Sequence, residues 1–132
     1  MSYRQLKQKD RDFESALQRL EEGLQVSDKS SLAIDGIIQR FEFTFEISWK
    51  LMKAFMEEEG IIGVCLSPKT TVRQAFKREL IIDGQGWIDM IGDRNRTSHM
   101  YDESMSRAIY INIQNKHIKL FRELRGFMQE NL

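Results

Sequence analysis

The stretch LAIDGIIQRFEFTFEISWKLMKAFMEEE, residues 32–59, decides the fold of this chain. Apolar side chains recur along it at intervals of three and four residues, which is the spacing of one face of an α-helix. A helix of this length extends roughly 40 Å at about 1.5 Å per residue. Its main apolar stripe is sufficient to seal it against neighbouring helices. The stripe comprises Ile34, Ile38, Phe41, Phe45, Trp49, Met52 and Met56.

The same helix carries a second apolar stripe, formed by Phe43, Ile47 and Leu51 on a different face. A helix at the periphery of a protein needs only one apolar face. This helix is therefore either central or covered by a second molecule. Because a bundle of this size has little room for a fully surrounded helix, the surplus stripe favours self-association, with two-fold symmetry as the ordinary form.

Helical spacing predicts four further helices, at about residues 4–26, at about 68–80, from near Gln85 and at about 103–128. Ser67 followed by Pro68 is typical of a helix start. Since the connections are short and no strand-like alternation occurs, the sequence predicts an all-α, up-and-down antiparallel bundle of about five helices in one domain, residues 1–132, which dimerises. The side chains expected to face inward include Val72, Ala75, Phe76, Leu80, Ile109, Ile113, Ile118, Phe121 and Leu124.

Composition narrows the function classes. Twenty basic and twenty acidic residues give a net charge of zero, which argues against a general electrostatic grip on nucleic acid. The single cysteine, Cys65, cannot form an internal disulfide or a thiol cluster for zinc, and a buried, idle thiol is expected there. The chain has no apolar run long enough to span a bilayer and no secretory signal, so a cytoplasmic protein without a cofactor is expected.

The segment DRNRTSHMYDE, residues 93–103, concentrates polar chemistry near the end of the fourth helix. The guanidinium of Arg94 matches phosphate oxygens, and His99 can exchange a proton near neutral pH. Asn95 and Ser98 lie where they could orient either group. This pattern suits the binding of a phosphate, or transfer to the 2′-hydroxyl of RNA with His99 as acid and base.

A structural interpretation of this segment stands beside the functional one. Arg94 and His99 could cap the helix end and oppose its dipole, with Asp93 and Asp102 as their ion-pair acceptors. Tyr101, taken alone, is expected to be a packed aromatic with a solvated hydroxyl.

Two other polar features have alternative interpretations. Glu42, Glu46 and Lys50 share one helix face, where the carboxylates could bind a metal, but an ion pair between Glu46 and Lys50 is favoured, with no metal. His117, within a basic stretch of the last helix, is expected on a charged outer face, although it could help to steer an anionic ligand.

The motifs RFEFTFEISWKLMK, SPKTTVRQAF, DGQGWIDMIGD and RNRTSHMYDE together resemble the nucleotidyltransferase substrate-binding proteins of the HEPN superfamily. The resemblance extends from about Phe13 to Phe127. It implies a dimerising helical bundle that assembles with a separately encoded minimal nucleotidyltransferase, as in toxin–antitoxin pairs. The chain lacks the Gly-Ser pair followed by paired aspartates that such a transferase uses. The chain is therefore expected to be the helical subunit that binds the transferase, and not the transferase itself.

Related HEPN toxins are metal-independent ribonucleases with an R-x(4–6)-H motif, which Arg94 and His99 match in its shortest form. Asn95 matches the polar residue that commonly follows the arginine. In some pairs the partner transfers AMP to a tyrosine two residues after the histidine, and Tyr101 has that spacing. The leading hypothesis is therefore a nucleotide- or RNA-phosphate-binding subunit of a nucleotidyltransferase complex. The alternative is a ribonuclease that uses Arg94 and His99 and is silenced at Tyr101.

Overall fold

A computed structural model of the protein describes residues 2–99 and 101–132, and these residues form helices and no strand. The all-α prediction is confirmed, and the predicted boundaries lie within about three residues of those observed. The elements in chain order are α1 (Tyr3–Gln25), α2 (Ser31–Glu58), α3 (Pro68–Lys77), α4 (Gly84–Arg96), a 3-10 turn (Thr97–His99), α5 (Glu103–Asn112), a π turn (Ile113–His117) and α6 (Ile118–Asn131).

Short polar side chains start the helices. Ser30 accepts a hydrogen bond from the backbone N–H of Ala33 at the start of α2. Ser67 does the same for Thr70 in α3, where Pro68 occupies the first turn as the sequence predicts. Asp83 and Asp102 cap α4 and α5 with their carboxylates. Because these caps join residues that are close in sequence, the helix starts could be predicted closely from the sequence.

The core lies around α2. Most of the main apolar stripe predicted for this helix is buried there, so the prediction is largely confirmed. Every member of that stripe is buried except Trp49, which packs partly exposed against the core. Phe41 meets Phe121 at a ring-centroid distance of 6.1 Å, and Phe121 meets Trp87 at 5.7 Å. Burial of these aromatic rings, together with the surrounding aliphatic side chains, stabilises the bundle. The thiol of Cys65 is also buried, as expected.

The three residues of the surplus stripe differ in their exposure to solvent. Leu51 is fully buried within this chain, Ile47 is half-buried, and Phe43 is 60% exposed. Of the three residues of this stripe, Phe43 and Ile47 therefore remain at the surface, beside an open groove of about 580 Å³ between α1 and α2. The dimer predicted from this stripe stays a prediction.

The inward orientation predicted for Phe76 is wrong, because its side chain is 52% exposed. Helix α3 ends at Lys77, and the ring of Phe76 lies against Gly84 at the start of α4. A Cβ added at Gly84 would lie 3.0 Å from that ring. The ring thus covers a glycine near the surface, whereas Val72 and Ala75 face the core as predicted.

Helices α5 and α6 form one rod that is interrupted by the π turn. Within the turn the backbone N–H of Ile118 donates to the carbonyl of Ile113, five residues earlier. The predicted buried stripe of the rod is confirmed, and its spacing changes from four residues, between Ile109 and Ile113, to five at Ile118. Of the helices that the structure describes, none combines the length and apolar character needed to cross a bilayer.

Candidate functional site

Arg94 lies in the last turn of α4 and connects that helix to α2. Its Nη2 donates a hydrogen bond of 2.9 Å to Oε2 of Glu46. Lys50 reaches the other oxygen of the same carboxylate at 3.4 Å, so the predicted pairing of Glu46 with Lys50 is confirmed. The side chains of Arg94 and Glu46 are 37% and 35% exposed, which leaves the guanidinium accessible from solvent.

After Arg96 the helix tightens into the 3-10 turn. The hydroxyl of Thr97 donates to the carbonyl of Arg94 at 2.7 Å, and that of Ser98 donates to the carbonyl of Asn95 at 3.3 Å. These bonds satisfy carbonyls that the helix end leaves without an intrahelical partner. Asn95 and Ser98 are exposed beside Arg94 along the chain, and their predicted role in orienting a ligand stays a prediction.

His99 lies against Tyr101. Its Nδ1 is 3.3 Å from the tyrosine hydroxyl, and the two rings meet edge to face at a centroid distance of 5.9 Å. Both side chains are exposed, Tyr101 to 85%, so the expectation that Tyr101 is a packed aromatic is wrong. Met100, between them, lies outside the described residues. The structure therefore brings His99 together with Tyr101, whereas the guanidinium of Arg94 bonds to Glu46.

Asp93 precedes Arg94 and is buried, with a side chain that is 3% exposed. Its Oδ2 accepts a hydrogen bond of 2.6 Å from Nε2 of His117 and one of 3.0 Å from Nδ2 of Asn112. Its Oδ1 accepts a hydrogen bond from the guanidinium of Arg96, three residues along the same helix. Asp93 was expected to pair with Arg94 or His99, but its acceptor sites face these three other donors.

Burial by itself would raise the pKa of the Asp93 carboxyl, because the interior disfavours a charge. The hydrogen bonds from His117, Arg96 and Asn112 outweigh this effect and hold the pKa below its ordinary value of 3.8. Asp93 is thus a buried carboxylate whose charge is compensated by donors on both sides.

The expectation that His117 lies on a charged outer face is wrong. Its side chain is 2% exposed, and its ring stacks on Phe41 at a centroid distance of 5.4 Å. The physical reason is spacing: His117 follows Ile113 by four residues, which places both side chains on the same buried face of the rod. The four-residue spacing of Ile109, Ile113 and His117 was the sequence signal for this position.

A polar cleft of about 290 Å³ opens beside the Asp93 cluster, between α4 and the rod. Arg96 and Lys116 provide positive charge in its lining, and Asp89 and Asp93 provide negative charge. Within the described part of the chain, Nδ1 of His117 is buried and has no hydrogen-bond partner. Since a carboxylate only accepts, Nε2 is the nitrogen that carries the proton shared with Asp93.

The family described as nucleotidyltransferase substrate binding protein like matches residues 8–130, a span that includes the Asp93 cluster and Tyr101. A Haemophilus influenzae protein named probable ribonuclease HepT is 35% identical over 102 residues, which cover 74% of this chain and 69% of that protein.

Two solved structures resemble the chain closely. A protein from Thermus thermophilus is 36% identical with a TM-score of 0.78, over 86% of this chain and 96% of that one. A Haemophilus influenzae protein is 30% identical with a TM-score of 0.80, over 91% of this chain and 98% of the other. Its structure is described as revealing the fold of a substrate binding domain of a nucleotidyltransferase.

Proposed function

Because the chain belongs to the nucleotidyltransferase substrate-binding-protein-like family, we propose that it is the helical subunit of a complex with a separately encoded minimal nucleotidyltransferase. In that complex it presents a nucleotide or RNA phosphate to Arg94 and His99. The family match over residues 8–130 is the observation that carries this proposal. The description of the Haemophilus structural relative as a nucleotidyltransferase substrate binding domain supports it.

The geometry at the end of α4 supports a phosphate ligand. The guanidinium of Arg94 has five N–H donors, and its bond to Glu46 involves Nη2. Because both side chains of this pair are about a third exposed, an anion can approach the guanidinium without unfolding the helix end. The exposed imidazole of His99 lies further along the same segment, where it can meet the same ligand or move a proton.

A homodimer is part of the proposal. Phe43 is 60% exposed beside the groove between α1 and α2, and Ile47 lines the same groove. Cover by a second copy would remove this apolar surface from water. Analytical ultracentrifugation at micromolar concentration tests this part, with a dimer as the expected result. A monomer there would contradict it, and Phe43→Asp provides a variant in which dimerisation should weaken.

Co-expression with the product of the neighbouring gene tests the complex. We expect a partner with the Gly-Ser and paired-aspartate pattern of a minimal nucleotidyltransferase to co-purify with this chain. Wild type and Arg94→Ala should both form the complex, while only wild type should retain a nucleotide or a short RNA. The absence of any complex on co-expression would contradict the proposal.

A second candidate function is ribonuclease activity, favoured by the contact between His99 and Tyr101 and by the name of the Haemophilus relative. In this reaction His99 removes the proton from a ribose 2′-hydroxyl, and the resulting oxygen attacks the adjacent phosphorus. A 2′,3′-cyclic phosphate forms, the bond to the 5′-oxygen breaks, and that oxygen takes up a proton. Arg94 stabilises the negative charge that develops on the phosphoryl oxygens.

Cleavage of RNA in the presence of EDTA tests this second function. Wild type should leave 2′,3′-cyclic or 3′-phosphate ends, and His99→Ala should lose the activity while remaining folded. Equal activity of the two proteins would exclude His99 as the acid–base group. Transfer of AMP to Tyr101 would attach a bulky phosphate to the hydroxyl oxygen that lies 3.3 Å from Nδ1 of His99, and so silence the site. Mass spectrometry after incubation with the partner and ATP would detect it.

A further inference from the structure

The carboxylate of Asp93 connects α4 to the rod formed by α5, the π turn and α6. Two of its three donors, His117 and Asn112, come from the rod, and both bond to the single oxygen Oδ2. The third, Arg96, bonds to Oδ1 from within α4. The last turn of α4 is therefore fixed to the rod through one side chain, immediately before Arg94.

The π turn makes this double contact possible. In an α-helix of about 3.6 residues per turn, residues five apart point in different directions. Asn112 and His117 are five apart, yet both reach the same oxygen because the intervening turn has the wider i to i+5 hydrogen bond. Single π turns are a departure from regular geometry that is frequent at functional sites. Here the departure serves the contact with Asp93.

The position of His117 is further restricted from the side of α2. Its ring stacks on Phe41 with an interplanar angle of 21°, and Phe41 is itself fully buried. Nδ1 of His117 is left buried without a partner among the described residues, which is a cost that an apolar side chain would avoid. Well-packed apolar residues often replace a buried polar pair without loss of stability. Stability alone therefore does not account for this cluster.

We propose that His117, together with Asn112 and acting through Asp93, is a positioning residue that sets Arg94 and the 3-10 turn bearing His99 in their working geometry. Its effect on catalysis or binding rests on the proposed function, whereas its effect on the geometry does not. Arg94 follows Asp93 directly, its carbonyl accepts from Thr97, and its guanidinium meets Glu46. A change in the tilt of this helix end would therefore move both the arginine and the turn that carries His99.

Four variants of the full chain separate positioning from stability. His117→Leu removes the donor to Asp93, whereas His117→Gln keeps an amide donor at a similar reach. Phe13→Leu is the matched control, because Phe13 is fully buried and its ring packs edge to face on Phe121 rather than on His117. His99→Ala removes the proposed acid–base group itself.

Two readouts are needed. The first is binding and cleavage of a fluorescently labelled single-stranded RNA oligonucleotide, with unfolding followed in urea on the same samples. The second is the nitrogen spectrum of ¹⁵N-labelled histidine rings. The chain has only two histidines, so the signals of His99 are identified at once by their loss in His99→Ala.

The proposal predicts a loss of at least about ten-fold in RNA affinity or cleavage rate for His117→Leu, because small displacements of reacting groups are costly. The His99 ring signals should move in the same variant. His117→Gln should restore both readouts to near the wild-type level. Phe13→Leu should lower stability while leaving both close to wild type.

Identical behaviour of His117→Leu and Phe13→Leu in both readouts would overturn the proposal, as would failure of His117→Gln to restore them. If wild-type protein neither binds nor cleaves RNA, the proposed function fails at that point. The His99 spectra then decide the positioning role alone: unchanged signals in His117→Leu would refute it, and shifted signals restored in His117→Gln would support it.

Discussion

Asp93 and Arg94 are neighbours in sequence and opposites in environment. The side chain of Asp93 is 3% exposed and accepts hydrogen bonds from three residues. The side chain of Arg94 is 37% exposed and pairs with the similarly exposed Glu46. One turn of helix thus divides into a buried face that fixes the backbone and an open face that can meet a ligand.

The charged groups on the two faces contribute to stability by very different amounts. A buried hydrogen-bonded charge is strongly destabilising when it loses its partner, because the interior cannot replace the lost contact. An ion pair near the surface contributes little, since water and salt compete for both charges. Substitutions on the buried face should therefore lower stability in addition to any effect on the position of Arg94, whereas substitutions on the open face should act on binding or chemistry with little change in stability.

Asp93→Ala should produce the largest effect on stability. It leaves the donors of His117, Asn112 and Arg96 without their acceptor, and breaking a buried pair in this way costs about 3–5 kcal/mol. Urea unfolding measures the change in the free energy of unfolding. Asp102→Ala is the matched control, because it removes an exposed helix cap worth about 1 kcal/mol. Equal losses in the two variants would contradict the buried role of Asp93.

Acid should weaken the buried face by a smaller amount. The pKa of Asp93 is lower in the folded protein than its ordinary value of 3.8, so its contribution to stability is complete above that value. The contribution is lost as the pH falls through the folded pKa, when the carboxyl becomes protonated. The difference in unfolding free energy between wild type and Asp93→Asn should therefore shrink below about pH 4. A difference that is constant from pH 7 to pH 3 would exclude this linkage.

The sequence could predict the helices that carry the two faces, but not the contacts between those helices. Helix positions followed from periodicity and from the Ser67 cap before Pro68, because these signals are local. The Arg94–His99 segment was singled out by its residue chemistry, and the family resemblance favoured its functional interpretation over a helix cap. The pairing of Arg94 with Glu46 joins residues that are 48 apart, and it depends on where α4 lies against α2. No local pattern contains that information.

The outer-face position predicted for His117 was wrong because it was inferred from the basic neighbours of this residue alone. Its neighbours Lys116 and Lys119 are exposed, but His117 is four residues from Ile113 and therefore shares the buried face of the helix. Tertiary contacts with Asp93 and Phe41 hold its ring there. The spacing from Ile113 was visible in the sequence, but the hydrogen-bond partner of His117 was not, because Asp93 is 24 residues away.

Arg94→Ala, on the open face, should affect ligand binding much more than stability. Its partly exposed pair with Glu46 contributes no more than about 1 kcal/mol to stability, so the free energy of unfolding should change little. Binding of a phosphate-bearing ligand should fall by at least about ten-fold, since a charge-assisted contact is lost. Lys50→Ala, which removes the other cation beside Glu46, is the control and should leave binding closer to wild type. A stability loss as large as that of Asp93→Ala would favour the helix-cap interpretation.

Tyr101→Phe should have the smallest effect on the fold, because the side chain is 85% exposed and the substitution removes only the hydroxyl. That hydroxyl lies 3.3 Å from Nδ1 of His99, so the ¹⁵N signal of this nitrogen should shift while the unfolding curve stays unchanged. The variant should also resist AMP transfer by the partner, if Tyr101 is the acceptor. Destabilisation by this substitution would mean that the segment after α4 is packed in solution, and the division between a buried face and an open face would then fail at its most exposed residue.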